Sequence, residues 1–444
     1  EMCIRDRVNF MSTIERRVHS VLIDKNHPVY KTIDDMCWHS RALYNSMNYD
    51  LRQSFFDPKQ KMPTIGSLRK QYRFDENEHW MSLPAKVARE VALQLERDWK
   101  SYWKKRKNGD VLARPPKYHL HNSRRFIEFS VDAITKAGKK SYMLTLSTIK
   151  DFIVPLPCKL EDVCSVRILP VRKKFKVEIV HKVKVPMIES VSHEDEVWSG
   201  GDLGVDNFLT VTIDNAGIRP LIISGKDIKS RNQFANKHSS NVKRNKSYRK
   251  GNDTRSVDDY IRNIWGSRNR YIDGFIHNAT SYIVSYLKEF NVTHFVVGWN
   301  KGWKSNSVRG KNKGMGRKNN QKFRSLPYRK FLTVLEYKLR DAGIVYLETE
   351  ESYTSKTSVL AGEYPVEHED YASVRIHRGL LKNKITGVVI NADVNGACQI
   401  VRKCKPEAFS WADGVEGKAG LFSPVKVSVG GGCPKLHTES FLCV

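Results

Sequence analysis

Residues 201–215 read GDLGVDNFLTVTIDN, and they predict a strand, a tight turn and a second strand. Gly201 and Gly204 allow the backbone to bend around the carboxylate of Asp202. The run FLTVTI that follows has strong strand propensity and ends in turn residues. The stretch therefore predicts a hairpin whose first strand ends at an aspartate. Such an aspartate is more often a turn residue than a catalytic group, so its meaning depends on the rest of the chain.

The composition of the chain indicates its class of partner. The 444 residues suffice for two or three domains, and 40% of them are hydrophobic. Lysine and arginine total 76 against 48 aspartates and glutamates, a net charge of +28. Many cations are needed to neutralise phosphates, so this excess indicates a nucleic-acid partner. We expect no membrane partner, because no stretch approaches the ~20 apolar residues of a spanning helix.

The first part of the chain predicts helices inserted into a β-rich domain. Residues 1–10 are unlike the start of a domain, and we interpret them as a non-native leader. Residues 11–28 begin with a clean basic strand, which we assign as the first strand of a β-barrel. Residues 29–113 show the apolar spacing of helices, and 114–195 contain short strand runs that would complete the barrel.

The second part alternates strands and helices, which predicts a mixed α/β domain over 196–350. It includes long helices at 257–289 and 327–342. Its basic segment 226–255 is rich in Ser and Asn, and we expect part of it to be mobile. The Gly- and Pro-rich residues 404–444 predict a flexible tail.

Basic side chains beside aromatic or polar neighbours predict contacts with the phosphates and bases of nucleic acid. They lie at the end of a helix predicted from about residue 83 to 107, in the basic segment 226–255, on the long helix 257–289 and in a loop over 301–325. For the helix end, the alternative is a core stripe beside a solvated basic end. For the loop, the alternative is a solvated loop. The residues assigned to this surface are Trp103, Lys104, Lys105, Arg106, Lys243, Arg244, Arg249, Arg268, Arg270, Lys301, Lys304, Arg317, Lys318, Lys322 and Arg324.

Acidic residues occur at three places where a strand ends or a helix begins. They are Asp202, the pair Glu350 and Glu351 after a later strand, and Asp393 at the start of the last helix. Phosphodiester hydrolysis needs an activated water and a stabilised leaving oxygen, and two carboxylate-bound Mg²⁺ ions provide both. A carboxylate at the end of a buried first strand, followed at once by a hairpin, is typical of an RNase H-type nuclease core.

Four ordered motifs carry a resemblance to a known family. They read GGDLGVDNF, then VVGWNKGWK…NNQKFRSLPY, then EESYTSKTS, then RIHRGL…INADVNGACQIVRK. Together they resemble the RuvC-type nuclease domain of the TnpB-like (OrfB) family of transposon-encoded, RNA-guided endonucleases, which is related to the compact type V CRISPR effectors. The match covers residues 196–403 and extends more loosely to the helix at 83–109, which is similar to the family's recognition lobe.

The resemblance implies a multidomain α+β fold: an RNase H-like (RuvC) α/β nuclease domain, a β-barrel wedge domain and an inserted helical recognition lobe. The expected divisions are 1–10 (leader), 11–28 and 114–195 (wedge), 29–113 (recognition lobe), 196–350 and 389–403 (RuvC), 351–388 (target-nucleic-acid-binding insertion) and 404–444 (tail).

The resemblance also implies that Asp202 and Asp393 are the first and third catalytic and metal-binding carboxylates. The second usually ends the strand that here reads FVVGW, where this chain has Gly298. In one interpretation the glutamate has moved to EESYTSK, so that Glu351 takes the role with Glu350 in reserve. In the other, the site is degraded and the protein binds DNA without cutting it. We favour relocation because both outer aspartates are retained.

The cysteines argue against a metal that many family members carry in the insertion, a zinc ribbon with two cysteine pairs. All eight cysteines of this chain are scattered, and none lies within 352–388. Only His368 and His377 remain there as soft ligands, and a lone histidine pair is more often surface than metal site. We therefore expect no structural zinc and free thiols in a reducing compartment.

The function implied by the resemblance is RNA-guided, Mg²⁺-dependent DNA cleavage in the prokaryotic cytoplasm, at the nucleoid. The expected partners are a guide RNA and a target double-stranded DNA with a short flanking motif. The alternatives are a nuclease-inactive, RNA-guided repressor and a guide-free transposition accessory protein. The sequence does not separate a monomer from a homodimer.

Overall fold

The structure is a computed structural model, and it describes residues 12–57, 59–136, 143–146, 148–186, 193–248, 254–299, 325–377, 379–413, 419–430 and 436–442. The chain is a mixed α/β protein that divides into two compact units, Ser12–Val185 and a unit containing Pro186–Val444. None of the described helices is long and apolar enough to cross a membrane.

The first unit combines helices and antiparallel strands around one core. Its elements are β1 (Ser12–Ile23), α1 (Tyr30–Phe56), α2 (Ile65–Phe74), α3 (Glu78–Met81), α4 (Ala85–Lys107), β2 (Ile127–Ser130), β3 (Ile134–Lys136), β4 (Met143–Leu146), β5 (Ile149–Pro155), β6 (Val163–Val171) and β7 (Lys174–Pro186).

Helix α4 shows why this part of the sequence is helical. Val87, Val91, Leu95 and Trp99 recur every four residues and are all buried, so they form one apolar stripe. The indole N–H of Trp99 donates to the side-chain oxygen of Asn48 on α1 at 3.1 Å, which satisfies a buried polar group between the two helices.

The strands of this unit form two sheets within the described residues, in the orders β1-β7-β6-β2 and β3-β4-β5. The sequence predicted a single barrel. A short 3-10 turn at Val131–Ala133 redirects the chain between β2 and β3, so that consecutive strands join different sheets. A closed barrel is therefore not what the described strands form.

The second unit contains a six-stranded sheet, a small three-stranded sheet and five described helices. Its elements are β8 (Trp198–Leu203), β9 (Asn207–Ile213), β10 (Leu221–Ser224), α5 (Lys226–Tyr248), α6 (Thr254–Glu289), β11 (His294–Gly298), α7 (Tyr328–Asp341), β12 (Val345–Thr349), β13 (Ser373–His377), β14 (Leu380–Asn383), β15 (Val389–Asn391), α8 (Ala392–Arg402), α9 (Ala419–Phe422) and β16 (Val425–Val427).

The six-stranded sheet has the order β12-β11-β8-β9-β10-β16. Strands β8, β9 and β10 pair antiparallel, as consecutive hairpins do, whereas β11 and β12 run parallel to β8 after helical connections. Helices α6 and α7 pack on one face of the sheet, and α8 packs on the other. A Cβ at Gly200 would lie 2.2 Å from the carbonyl oxygen of Ala397, so the glycine permits the close approach of α8.

One segment contains a helix that the sequence analysis did not predict, and another overturns its prediction. Much of the basic segment 226–255 is helix α5, whose Ile228 and Ala235 are buried. The tail 404–444, predicted to be flexible, adds β16 to the sheet beside β10 and buries Phe441 in the core. The tail prediction was wrong because pairing with the free edge of β10 outweighs the turn-forming composition. The other predicted domain boundaries stay predictions.

Candidate active site

Two of the predicted acidic residues meet where α8 crosses the sheet. Asp202 lies on β8, and Asp393 lies in the first turn of α8. The N-cap Asn391 accepts hydrogen bonds from the backbone N–H groups of Asp393 and Val394, at 2.9 and 3.3 Å, which fixes the start of the helix. One turn later, a Cβ at Gly396 would lie 2.9 Å from the carboxylate of Asp202. Helix α8 therefore lies directly against Asp202.

Glu351 reaches the same place from the strand on the other side. Strand β11 lies beside β8, and its last residue, Gly298, pairs with Thr349 at the end of β12. Two residues later the chain folds back, and the side chain of Glu351 lies over Gly298. A Cβ built on Gly298 would be 2.4 Å from Cγ and 2.5 Å from Oε1 of Glu351. The glutamate thus fills the space that a side chain at position 298 would occupy.

The three carboxyl groups form one electrostatic cluster. Burial raises the pKa of Asp202 well above its ordinary value, and the negative charges of Asp393 and Glu351 raise it further. Burial also raises the pKa of Glu351 to about 7, with a contribution from the charge of Glu350. Such a cluster is costly to ionise and favours a cation that offsets its charge.

The structure separates the two neighbouring glutamates. Glu350 is 60% exposed and accepts a hydrogen bond from Lys403 Nζ at 2.7 Å. Hydrogen bonds from Lys403 and Ser352 lower the pKa of Glu350 to about 2. Glu350 is therefore held in an ion pair at the surface, whereas Glu351 lies over Gly298.

Asn395, which the sequence analysis did not single out, connects the segment after Glu351 to α8. Its fully buried side chain accepts from the backbone N–H of Val359 at 2.9 Å and donates to the carbonyl oxygen of Thr357 at 2.8 Å. It lies two residues after Asp393. The segments that carry Glu351 and Asp393 are therefore hydrogen-bonded to each other.

The sequence analysis also missed Asn207, which contacts Asp393 itself, and Lys426, which contacts Asn207. The side-chain NH₂ of Asn207 donates to Asp393 Oδ2 at 2.7 Å, and Lys426 Nζ donates to Asn207 Oδ1 at 2.6 Å. Asn207 belongs to the opening hairpin motif, and that motif is the signal that could have identified it. Nothing in the sequence around Lys426 marks it as a site residue.

The donor set fits Mg²⁺ by its chemistry, because carboxylate oxygens are the ligands that this ion prefers. Within the described residues, no group of three His, Cys, Asp or Glu side chains is arranged to hold a metal ion. The predicted two-ion site at Asp202, Glu351 and Asp393 therefore stays a prediction.

The residues predicted to bind nucleic acid differ in their surroundings. Trp103 and the adjoining Lys104, Lys105 and Arg106 are exposed at the end of α4. Lys243, Arg244 and Arg270 are exposed on α5 and α6. Arg249, Lys301, Lys304, Arg317, Lys318, Lys322 and Arg324 lie outside the residues whose side chains are described.

Arg268 is engaged within the protein. Its guanidinium donates to Asn232 Oδ1 and to the carbonyl oxygen of Ser325, each at 2.6 Å. Arg268 therefore ties α6 to α5 and to the segment that precedes α7, which gives it a structural role whatever else it contacts.

The insertion at 351–388 is held by a partly buried carboxylate. Glu363 accepts hydrogen bonds from the backbone N–H groups of Ser358 at 2.7 Å and Ala372 at 2.6 Å. Lys356 Nζ lies 5.7 and 5.6 Å from the ring centroids of Tyr353 and Tyr371, within cation–π range. These contacts join segments that are distant in the insertion.

The fold and the site define a mixed α/β protein with an acidic cluster at the junction of a sheet and a helix. Residues 328–400, which include Glu351 and Asp393, match the family model of the Cas12f1-like TNB domain. The match confirms the predicted resemblance for this part of the chain, which is similar to a domain of the compact type V CRISPR effectors.

Solved structures that resemble the chain include two Cas12f complexes. A Cas12f1–sgRNA–target DNA complex is 14% identical, with a TM-score of 0.47, and the match covers 84% of this chain and 82% of that one. A CRISPR–Cas12f ternary complex is 13% identical, with a TM-score of 0.36, and the match covers 84% and 81%. No curated protein matches the sequence.

Proposed function

We propose that the protein is an RNA-guided DNA endonuclease that hydrolyses phosphodiester bonds with Mg²⁺ held by Asp202, Glu351 and Asp393. The position of one side chain gives this proposal its main support. Glu351 occupies the space above Gly298, where the family's second carboxylate would stand, and lies beside Asp202. A relocated glutamate explains this placement, whereas a decayed site has no need of it.

The topology of the second unit supports an RNase H-like core. Three antiparallel strands are followed by two strands parallel to the first, with helices on both faces. In this proposal the nuclease domain is the RuvC domain of the family, and the helices and sheets of Ser12–Val185 serve as recognition lobe and wedge.

The residues of the site would act as follows. Asp202, Glu351 and Asp393 would hold Mg²⁺, which when bound supplies an activated water and a stabilised leaving oxygen. Because the pKa of Glu351 is raised to about 7 in the metal-free protein, this carboxyl group gains its charge near neutral pH. Asn207 holds one oxygen of Asp393, so that the carboxylate keeps one orientation.

The partners would be a guide RNA and a target double-stranded DNA with a short flanking motif. The net charge of +28 and the exposed basic residues on α4, α5 and α6 support nucleic-acid binding. The match to the Cas12f1-like TNB domain and the ordered RuvC-like motifs support delivery by a guide RNA.

Cleavage of a labelled DNA target tests the proposal, with the protein purified together with its own RNA. We expect cutting with Mg²⁺ and none with EDTA. Asp202→Ala and Glu351→Ala should stop cleavage and keep RNA binding, while the matched control Glu350→Ala should still cut. A wild-type protein that binds its target and never cuts would instead be an RNA-guided DNA-binding protein. If no defined RNA co-purifies, the guide-free alternative is favoured.

A further inference from the structure

A relay of two side chains reaches Asp393 from the far edge of the six-stranded sheet. Lys426 donates to the amide oxygen of Asn207, and the amide NH₂ of Asn207 donates to Asp393. An ammonium group can only donate, so it faces the oxygen of the amide and leaves the NH₂ group for the carboxylate. The two contacts together therefore determine the orientation of the amide, and through it the orientation of Asp393.

A β-bulge turns Asn207 toward the site. The pairing of β9 with β10 shifts register between Ile223 and Ser224, opposite this part of β9. Neighbouring residues of a regular strand point to opposite faces, yet Phe208 and Leu209 both enter the core under α6 and α7. Phe208 is thus the extra residue of β9. It leaves Asn207 on the face covered by α8, where Asp393 lies. Bulges commonly re-aim a side chain beside an active site.

Lys426 is brought to the site by the register of β16. It pairs opposite Ile222, which is opposite Thr210, which is in turn opposite Asp202. Residues directly opposite each other share a face, so Lys426 and Asp202 belong to one row across the sheet. Three strand spacings separate the ends of this row, about 14 Å, which is too far for direct contact. Asn207 instead connects Lys426 to Asp393, on the helix that lies against Asp202.

We propose that Asn207 and Lys426 are positioning residues for Asp393, and that residues 425–427 of the tail are a working part of the active site. This inference rests on the proposed function and adds two residues that lie outside its three carboxylates. Partners that orient metal-binding carboxylates typically contribute about 10-fold to 100-fold in metal affinity or activity. Lys426 acts through Asn207 and is therefore not itself a catalytic residue.

Binding of Mn²⁺, in the absence of DNA, is the first test. The full-length protein–RNA complex is titrated, and the ions bound by an otherwise identical Asp202→Ala complex are subtracted. Asn207→Ala and Lys426→Met should raise the Mn²⁺ Kd about 10-fold or more. Lys426→Arg keeps a cationic donor and should stay near the wild type. The control Lys330→Met, which removes a surface ion pair with Asp273, should have no effect.

Cleavage kinetics on the same complexes give the second readout. Lys426→Met should lower kcat about 10-fold to 100-fold and leave the KM for target DNA within about twofold. A raised KM with unchanged Mn²⁺ affinity would overturn the inference and make Lys426 a DNA contact. If the wild type binds Mn²⁺ but does not cut, the proposed function fails alone, and the titration still decides the role of Lys426. A wild type that binds no more Mn²⁺ than Asp202→Ala overturns both.

Discussion

Replacing Gly298 with alanine should remove most of the cleavage activity and leave the fold intact. The new Cβ would stand 2.4 Å from Cγ and 2.5 Å from Oε1 of Glu351. Carbon atoms in ordinary contact are about 3.5 Å or more apart, so the side chain of Glu351 has to move by about 1 Å. A misplacement of about 1 Å at a catalytic site costs roughly 100-fold in rate, about 2.7 kcal/mol of transition-state stabilisation.

The stability of the alanine variant should change little. The clashing atoms are the flexible end of a side chain, which can shift at low cost, and alanine in a strand gains about 0.5–1 kcal/mol over glycine. We therefore expect a Tm within about 4 °C of the wild type. Gly274→Ala on α6 is the matched control, because its Cβ would meet no atom within 4 Å.

Single-turnover cleavage of labelled target DNA measures the effect. The series comprises the wild type, Gly298→Ala, Glu351→Ala, Gly274→Ala and the double variant Gly298→Glu/Glu351→Ala. The double variant should recover part of the rate lost in Glu351→Ala, because a glutamate at 298 puts a carboxylate into the same space. If Gly298→Ala cuts at the wild-type rate while Glu351→Ala is inactive, Glu351 does not act from its position above Gly298, and the reasoning is wrong.

The remaining predictions concern stability. The pKa of Glu351 is about 7 in the folded protein against 4.5 unperturbed. Its protonated form therefore contributes to the free energy of unfolding below about pH 4.5, and this contribution, about 3 kcal/mol, is lost as the pH rises through 7. In EDTA the Tm should therefore fall across this range more steeply for the wild type than for Glu351→Gln, and equal slopes would contradict the assignment. Asn395→Ala leaves the backbone partners at Val359 and Thr357 unsatisfied and should cost about 2–4 kcal/mol in urea denaturation; a loss below about 1 kcal/mol would contradict its role. Glu363→Gln should cost about 1–3 kcal/mol equally in EDTA and in Zn²⁺, whereas stabilisation of the wild type by Zn²⁺ would point to a metal in the insertion.

The opening hairpin could be predicted because all its determinants are local. Strand propensity, glycines and turn residues lie within 201–215, and β8 and β9 form where they indicate. The long helices α6 and α7 follow from apolar spacing in the same way. The position of Glu351 was proposed from its motif alone. Its physical basis, the empty space above Gly298, depends on β11 and β12 lying side by side, which the local sequence does not show.

The contributions of α5 and of the tail could not be predicted from local patterns. Helix α5 is rich in Lys, Ser and Asn, and it owes its order to packing against α6 rather than to an apolar stripe. Strand β16 has only three residues and depends on its partner β10. Lys426 resembles any surface lysine in sequence, and the register of β16 alone gives it a neighbour in Asn207.

The hydrogen bonds of the Asn395 side chain have a consequence for protein engineering. Residues 351–402 contain two of the three carboxylates and also the contacts between the segments that carry them. The remaining carboxylate, Asp202, stands on the sheet, where Gly200 and Gly298 leave room for that stretch to settle. We therefore expect the stretch to be transferable as one unit. A related scaffold with a strand aspartate and these two glycines could receive it as one insert, whereas moving Glu351 alone would leave it without support.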